Sequence, residues 1–172
     1  MDRKNDKLLQ GVIAILVVAL VLVVAGTLEA KVVSAGDTAP KFSIKTDSGK
    51  PISRSEFGGK LLVLNFWATW CPPCIEELPS LNAFARQFAQ QGVVVVGISI
   101  DRNEQVYRRF LERNPFAFET ARDPEGEISG SYGTFQVPET YLIDRSGKVL
   151  EKVISNQNWM DPIFLARFKQ ML

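Results

Sequence analysis

Two cysteines carry the strongest chemical signal in this 172-residue sequence. Cys71 and Cys74 lie in the segment WATWCPPC, they are the only two cysteines of the chain, and the chain contains no histidine. Two thiols on one helical turn are close enough to form a disulfide and to exchange it with a substrate. The pair is therefore a candidate redox-active dithiol.

Three other uses of the cysteine pair fit the sequence less well. A zinc site needs about four ligands, and two cysteines without a histidine leave half of them to carboxylates. Covalent haem attachment needs a histidine directly after the second cysteine, where this chain has Ile75. A purely structural disulfide stays open, although such a short loop restricts the unfolded chain little. We therefore predict a redox pair, with no metal and no other cofactor.

The elements on either side of the motif predict which thiol reacts first. The apolar run LLVLNF, residues 61–66, indicates a strand buried on both faces. Apolar residues after the motif recur at intervals of three or four and predict a helix that ends near Gly92. Cys71 then lies at the helix N-terminus, where free N–H groups and the helix dipole favour a thiolate. We expect Cys71 to attack and Cys74 to resolve the mixed disulfide.

The remaining segments predict a mixed sheet with helices on both faces, an α/β fold. The expected order is a hairpin at 41–53, a strand at 93–100, a helix to about residue 113, a short strand, a short helix at 125–132, a hairpin at 139–154 and a helix capped by Asp161 and Pro162. The helix before residue 113 begins at Asp101 or Asn103 as N-cap, and its predicted inward residues are Val106, Phe110 and Leu111.

The N-terminal segment predicts one transmembrane helix. Residues 8–28 contain no charged side chain and, as a helix, are long enough to cross a hydrocarbon core about 30 Å thick. A cleaved signal peptide has a shorter apolar region, which favours a retained anchor, although small-residue sequences behind it leave cleavage open. Arg3, Lys4 and Lys7 precede the segment and favour a cytoplasmic N-terminus.

These features predict the organisation of the chain. We expect a short cytoplasmic N-terminus at 1–7, the anchor at 8–28, a linker at 29–35 and one domain at 36–172. The protein would be a single-pass protein of the cytoplasmic membrane with a periplasmic or otherwise extracytoplasmic domain. The 20 Lys and Arg nearly balance the 19 Asp and Glu, which argues against a nucleic-acid partner.

The sequences LNFWATWCPPC and VPETYLID resemble those of the TlpA/ResA/CcmG family of membrane-anchored bacterial thiol-disulfide oxidoreductases. The resemblance covers about residues 35–172. It implies a thioredoxin fold, exchange with protein thiols and disulfides, and a membrane-embedded electron donor of the thiol-reductase type. The usual task in this family is to keep apocytochrome c thiols reduced for haem attachment, and some members serve copper-site assembly or general periplasmic reduction.

The resemblance also implies a substrate-binding surface. Val137 and Pro138 match the cis-proline loop of the family, whose backbone turns toward a substrate strand. Glu139 is similar to a glutamate of the cytochrome c maturation members, with a solvated carboxylate at a strand edge as the alternative. The predicted substrate-binding residues are Trp70, Pro72, Pro73, Val137, Pro138 and Glu139.

Glu77 is the candidate acid/base for the thiols. Thioredoxin has a buried aspartate where this chain has Asn65, and an asparagine cannot accept the proton. Glu77 follows Cys74 by three residues, shares its helical face and matches an active-site glutamate of the ResA type. We expect partial burial to raise the pKa of Glu77 toward neutrality, whereas Glu76 points elsewhere. A fully solvated Glu77 is the alternative.

Two other functions stay open beside the favoured prediction of a protein-disulfide reductase. A thioredoxin-fold peroxidase would resemble a P-x-x-x-T-x-x-C pattern, but Thr69 precedes Cys71 by two residues instead of three. A Cu(I) metallochaperone could use the thiolate pair, yet related copper carriers have a wider cysteine spacing and a histidine. Pro72 and Pro73 have no N–H to stabilise a thiolate, which favours a reductant or a mid-potential exchanger.

Overall fold

The computed structural model describes residues 3–27 and 32–172, which belong to two compact units divided after residue 31. The first unit contains helix α1 (Arg3–Thr27), whose side chains are described for residues 10–23. Within this described part of the chain, no helix is both long and apolar enough to cross a membrane. The predicted anchor and linker extend into residues 28–31, outside the described residues, and both stay predictions.

The second unit is built around one mixed sheet. Its elements are β1 (Ser43–Lys45), β2 (Pro51–Ser53), β3 (Leu61–Trp67), α2 (Pro72–Phe88), β4 (Val93–Ser99), α3 (Glu104–Arg113), β5 (Glu119–Arg122), α4 (Glu127–Ser131), β6 (Glu139–Asp144), β7 (Val149–Ile154) and α5 (Pro162–Phe168), with 3-10 turns after α2 and α5. The five-stranded sheet has the order β5-β4-β3-β6-β7, and β1 and β2 form a separate hairpin. Strand β3 is parallel to β4 and antiparallel to β6. This arrangement confirms the predicted α/β fold.

The central strand β3 divides the core into two layers. All of its residues are buried, as the continuous apolar run predicts. Successive strand residues alternate between the faces, so Leu61 and Val63 pack toward α2 and α5, which contribute Phe84 and Phe168. Leu62 and the other β3 residues that share its face of the sheet pack toward the β1–β2 hairpin and α4. Helices therefore cover both faces of the sheet.

Helix α3 differs from its predicted orientation at one position. Asn103 is its N-cap, since its side-chain oxygen accepts a hydrogen bond from the Val106 N–H at 3.1 Å. The prediction that Val106 faces inward is wrong, because Val106 is 40% exposed and Tyr107 is fully buried instead. The Tyr107 hydroxyl donates to Asp47 in the turn of the β1–β2 hairpin. This long-range polar partner favours burial of the tyrosine in place of Val106, while Phe110 and Leu111 pack against the core as predicted.

Candidate redox site

Cys71 and Cys74 form a disulfide at the start of α2. Cys71 is the N-cap residue and Cys74 lies in the first turn, so both are placed as the sequence predicts. The Cys74 N–H donates a hydrogen bond to Cys71 Sγ at 3.2 Å. In the reduced protein, this donor and the helix dipole favour negative charge on the Cys71 sulfur. The geometry therefore suits Cys71 as the attacking thiol.

The loop before β6 lies against the disulfide. The peptide bond between Val137 and Pro138 is cis, as the family resemblance predicts. The Val137 carbonyl oxygen lies 3.4 Å from Cys71 Sγ, although these residues are 66 positions apart in the chain. An extended peptide that reaches Cys71 therefore also meets the Val137 backbone.

Glu77 is buried one turn after Cys74, with an exposed fraction of 3%. Its Oε1 accepts a hydrogen bond from Asn65 Nδ2 at 2.9 Å. Its Oε2 accepts from the Gln157 N–H at 3.1 Å and from Trp159 Nε1 at 3.3 Å. Burial outweighs these three donors and raises the pKa of Glu77 from its usual 4.5 to about 7. The predicted direction of the pKa change is correct, and the alternative of a solvated Glu77 is wrong.

Sequence reasoning missed Gln157 and Trp159 as neighbours of Glu77. They lie in the segment between β7 and α5, about 80 positions after Glu77. Trp159 is fully buried and packs its ring 5.6 Å from that of Phe84 in α2. The only available signal was one tryptophan that follows the polar run SNQN, shortly before the helix cap Asp161.

Asn65 and Glu76 complete the surroundings of the buried carboxyl. Asn65 lies in β3, and its Nδ2 also donates to Thr140 Oγ1 at 2.9 Å, so the amide connects Glu77 to strand β6. Glu76 is exposed and accepts a hydrogen bond from Asn156 at 3.1 Å. Neighbouring glutamates of one helix thus have opposite environments, which agrees with the prediction that Glu76 points elsewhere.

The buried carboxylate of Glu139 has its polar partners inside the protein. It is 3% exposed, forms an ion pair with Lys152 Nζ and accepts a hydrogen bond from the Tyr141 hydroxyl at 2.8 Å. Its side chain lies on the face of β6 opposite to Thr140, whose hydroxyl meets Asn65. The alternative of a solvated carboxylate at a strand edge is therefore wrong, because β7 supplies Lys152 as a buried partner.

Trp70 and its neighbours form the surface next to the disulfide. Trp70 is 65% exposed, Pro72 is exposed and Pro73 is half-buried. The preceding residue, Thr69, donates from its N–H and its hydroxyl to the buried carboxylate of Asp101, at 2.8 and 2.7 Å. Asp101 therefore holds this loop, and Asn103 alone serves as the cap of α3. The Thr69 hydroxyl, which corresponds to the threonine of the peroxidase pattern, thus donates its hydrogen bond to Asp101.

Potential metal ligands are not grouped near the cysteines. Among residues of the described ranges, no cluster of three or more His, Cys, Asp or Glu side chains could hold a metal ion.

Comparisons with known proteins agree with this geometry. The AhpC/TSA family matches residues 35–152. Thiol-disulfide oxidoreductase ResA of Bacillus thuringiensis subsp. konkukian is 34% identical over 122 residues, which cover 71% of this chain and 70% of the relative. ResA of Bacillus subtilis is 30% identical over 145 residues, with 83% and 81% covered.

Solved structures show the same relationship. The crystal structure of StoA from Bacillus subtilis has a TM-score of 0.62 and 29% identity, and the match covers 71% of this chain and 92% of StoA. A protein from Chlorobium tepidum assigned as the thiol:disulfide interchange protein DsbE has a TM-score of 0.70 and 31% identity, with 81% and 95% covered. The chain therefore belongs to the AhpC/TSA family and is a thioredoxin-fold thiol-disulfide oxidoreductase of the ResA type, with Cys71 and Cys74 as its redox pair.

Proposed function

We propose that this protein reduces disulfides of extracytoplasmic proteins, and that its substrates are the disulfides of apocytochrome c, whose cysteines it keeps as thiols for haem attachment during cytochrome c maturation. One observation carries the proposal of disulfide exchange: the Cys71–Cys74 disulfide at the N-terminus of α2 lies against the Val137 backbone. The substrate assignment is supported by the ResA relatives together with the VPET sequence after the redox pair.

Reduction proceeds in two exchange steps. The Cys71 thiolate attacks one sulfur of the substrate disulfide, a mixed disulfide forms, and the other substrate sulfur leaves as a thiolate and takes up a proton. Cys74 then loses its proton and attacks Cys71 Sγ, which releases the second substrate thiol. Two electrons pass to the substrate, and the protein is left with the Cys71–Cys74 disulfide that the structure contains.

Glu77 is the proposed acceptor of the Cys74 proton. Its pKa of about 7 leaves the carboxyl about half ionised at neutral pH, so it can take up and release a proton in each cycle. Asn65, Gln157 and Trp159 fix the orientation of both carboxyl oxygens. A positioned general base of this kind typically contributes about 10²-fold to the rate.

The substrate-binding roles follow from position. Trp70 offers an exposed aromatic surface directly before Cys71, and the Val137 backbone offers hydrogen-bonding groups to an extended substrate segment. Pro72 and Pro73 lie between the cysteines and donate no hydrogen bond to the Cys71 thiolate, which favours reduction of a substrate over its oxidation.

Pro138 and Glu139 support this loop from its other end. The Tyr141 hydroxyl, which donates to Glu139, also lies 3.4 Å from the hydroxyl of Thr134 in the segment before the cis-proline. Glu139 would therefore affect substrate binding indirectly, because it helps to position Val137 and Pro138.

We further propose that residues 8–28 anchor the domain in the cytoplasmic membrane, with the N-terminus in the cytoplasm. The described large apolar side chains of α1 are about half exposed or more in the isolated chain, as Ile15 and Leu22 illustrate. A membrane-embedded thiol reductase would then regenerate the dithiol from the disulfide form.

A trapping experiment tests the proposed function. The full-length Cys74→Ala variant lacks the resolving thiol, so it should accumulate mixed disulfides through Cys71 with its substrates in living cells. We expect mass spectrometry to identify apocytochromes linked through their haem-attachment cysteines. The Cys71→Ser/Cys74→Ala variant is the matched control and should trap nothing. Captured proteins without haem-attachment cysteines would contradict the cytochrome assignment, and no capture at all would contradict disulfide exchange.

A further inference from the structure

A groove of about 470 Å³ lies beside the redox pair, between the loop that leads to Cys71 and helix α3. Thr69 and Trp70 form one wall, and Val106, Arg109, Phe110 and Arg113 form the other. Trp70 and Val106 are both exposed, at 65% and 40%. The groove therefore exposes apolar side chains beside polar and charged ones, and one of its walls contains Trp70, the residue that directly precedes the attacking thiol.

Two arginines give the groove a positive charge. Arg109 and Arg113 lie one turn apart on α3, both are exposed, and their side chains project from the same helix face. In the part of the chain that the structure describes, neither arginine forms a salt bridge. By contrast, Arg108 on the same helix pairs with Asp47 at 2.8 Å and also with Glu104. Arg109 Nε donates to the Gln105 carbonyl oxygen at 3.2 Å, which leaves the terminal guanidinium nitrogens of Arg109 and the guanidinium of Arg113 available to a ligand.

The opposite wall is held in place from inside the protein. The buried Asp101 carboxylate accepts two hydrogen bonds from Thr69 and a third from the Ser99 hydroxyl at 2.6 Å. This fixes the backbone that presents Trp70. Among the described residues, Asp101 takes its hydrogen bonds from Thr69 and Ser99 and forms no salt bridge with the arginines of the groove.

Asp123, another buried acid, also has its hydrogen-bond donors inside the protein. Asp123 accepts hydrogen bonds from the N–H groups of Glu127, Ile128 and Ser129 at the start of α4. The chain as a whole carries a net charge of only +1, so its overall field does not select for acidic partners. Any preference for carboxylates must arise locally, at Arg109 and Arg113.

We propose that this groove binds an acidic, extended segment that flanks the target cysteine of the substrate protein. Carboxylates of the segment pair with Arg109 and Arg113, whose planar guanidinium groups suit such partners, and its apolar atoms pack on Trp70 and Val106. The inference rests on the proposed function, because the segment reaches the groove only when its cysteine engages Cys71. It adds a specificity site on the α3 side, separate from the Val137 backbone.

A set of three peptides tests this inference with the reduced full-length chain in detergent. The peptides share one intramolecular disulfide and differ only in three flanking residues, which are all Glu, all Gln or all Lys. The measured quantity is kcat/KM for reduction, at low salt and at high salt. Exposed ion pairs each contribute a few-fold in affinity, so we expect about a five- to tenfold preference for the Glu peptide over the Gln peptide at low salt. The Lys peptide should react most slowly, and high salt should remove the differences.

Two double variants assign the preference to the groove. Arg109→Gln/Arg113→Gln should lose the preference for the Glu peptide and keep the wild-type rate with the Gln peptide. Arg86→Gln/Arg145→Gln removes the same charge far from the site and should keep the preference. Arg86 lies in the last turn of α2, and Arg145 follows Asp144, which pairs with the first residue of β3 at the opposite end of the sheet from the cysteines.

The possible results separate a failure of the groove proposal from a failure of the proposed function. Equal rates of the wild-type protein with the Glu and Lys peptides would overturn the inference, and this comparison needs no substitution. An equal loss of preference in both double variants would also overturn it, because the effect would then come from net charge. Failure to reduce even the Gln peptide would instead contradict the proposed function.

Discussion

The substitution Glu77→Gln removes an ionisable group from the core and keeps its size. In the oxidised protein, the carbonyl of the introduced amide can take the place of Oε2 and accept from the Gln157 N–H and Trp159 Nε1. Its NH₂ group then faces Asn65, whose own amide can rotate to present its oxygen, and the Thr140 hydroxyl can donate to that oxygen. We therefore expect the variant to keep its fold.

The variant should lose a pH dependence of stability. The pKa of Glu77 is about 7 in the folded protein and 4.5 in a solvated carboxyl, a difference that corresponds to about 3 kcal/mol. Below pH 4.5 the carboxyl is protonated in both states, and its contribution to the free energy of unfolding is fully present. As the pH rises from 4.5 through 7, the unfolded state releases the proton first, so the folded state loses about 3 kcal/mol of stability. Above about pH 8 the loss is complete.

Urea denaturation of the oxidised full-length protein, followed by tryptophan fluorescence between pH 4.5 and 8, measures this change. The free energy of unfolding of Glu77→Gln relative to wild type should rise by about 3 kcal/mol across the range. The exchange reaction provides a second readout, since loss of the general base should slow mixed-disulfide resolution by about 10²-fold at pH 7.

Glu76→Gln is the matched control for both measurements. Glu76 precedes Glu77 in the same helix, but it is exposed and meets only the amide of Asn156. The control should follow the wild type in stability and in rate. Parallel stability curves for wild type and Glu77→Gln, together with equal exchange rates, would refute the argument that burial tunes this carboxyl.

Three further predictions concern neighbouring parts of the site. In the reduced protein, Cys71 should be alkylated faster than Cys74 at every pH below 8, because Cys71 lies at the helix N-terminus. Mass spectrometry of the modified peptides measures the order, and faster modification of Cys74 would contradict the assignment of Cys71 as the attacking thiol. Lys152→Met leaves Glu139 buried without its partner and should lower the free energy of unfolding by about 3–5 kcal/mol at pH 7, whereas an exposed lysine changed in the same way should have little effect. Asp101→Ala removes three hydrogen bonds that hold the loop before Cys71, so it should lower the free energy of unfolding by about 1–3 kcal/mol. An unchanged urea midpoint would contradict the stabilising role of Asp101 in this loop.

Local patterns in the sequence were sufficient for most of the fold. The apolar run at 61–66 predicts β3, and the cysteine motif behind it predicts the start of α2, because strand burial and helix periodicity are encoded over a few residues. The cap formed by Asp161 and Pro162 was also readable, since a cap needs only neighbours in the chain. The proximity of Val137 to the cysteines was accessible only through the family resemblance.

The tertiary structure decided the environment of each polar group near the site. Glu77 is buried because Gln157 and Trp159 return to α2 from about 80 positions away, and no local pattern encodes that contact. Glu139 is buried because Lys152 of the next strand pairs with it across the sheet. Likewise Tyr107 displaces Val106 from the core because its hydroxyl finds a distant acceptor. Apolar side chains need only burial, whereas a buried polar group needs a specific partner, and the partner is supplied by chain segments far away in sequence.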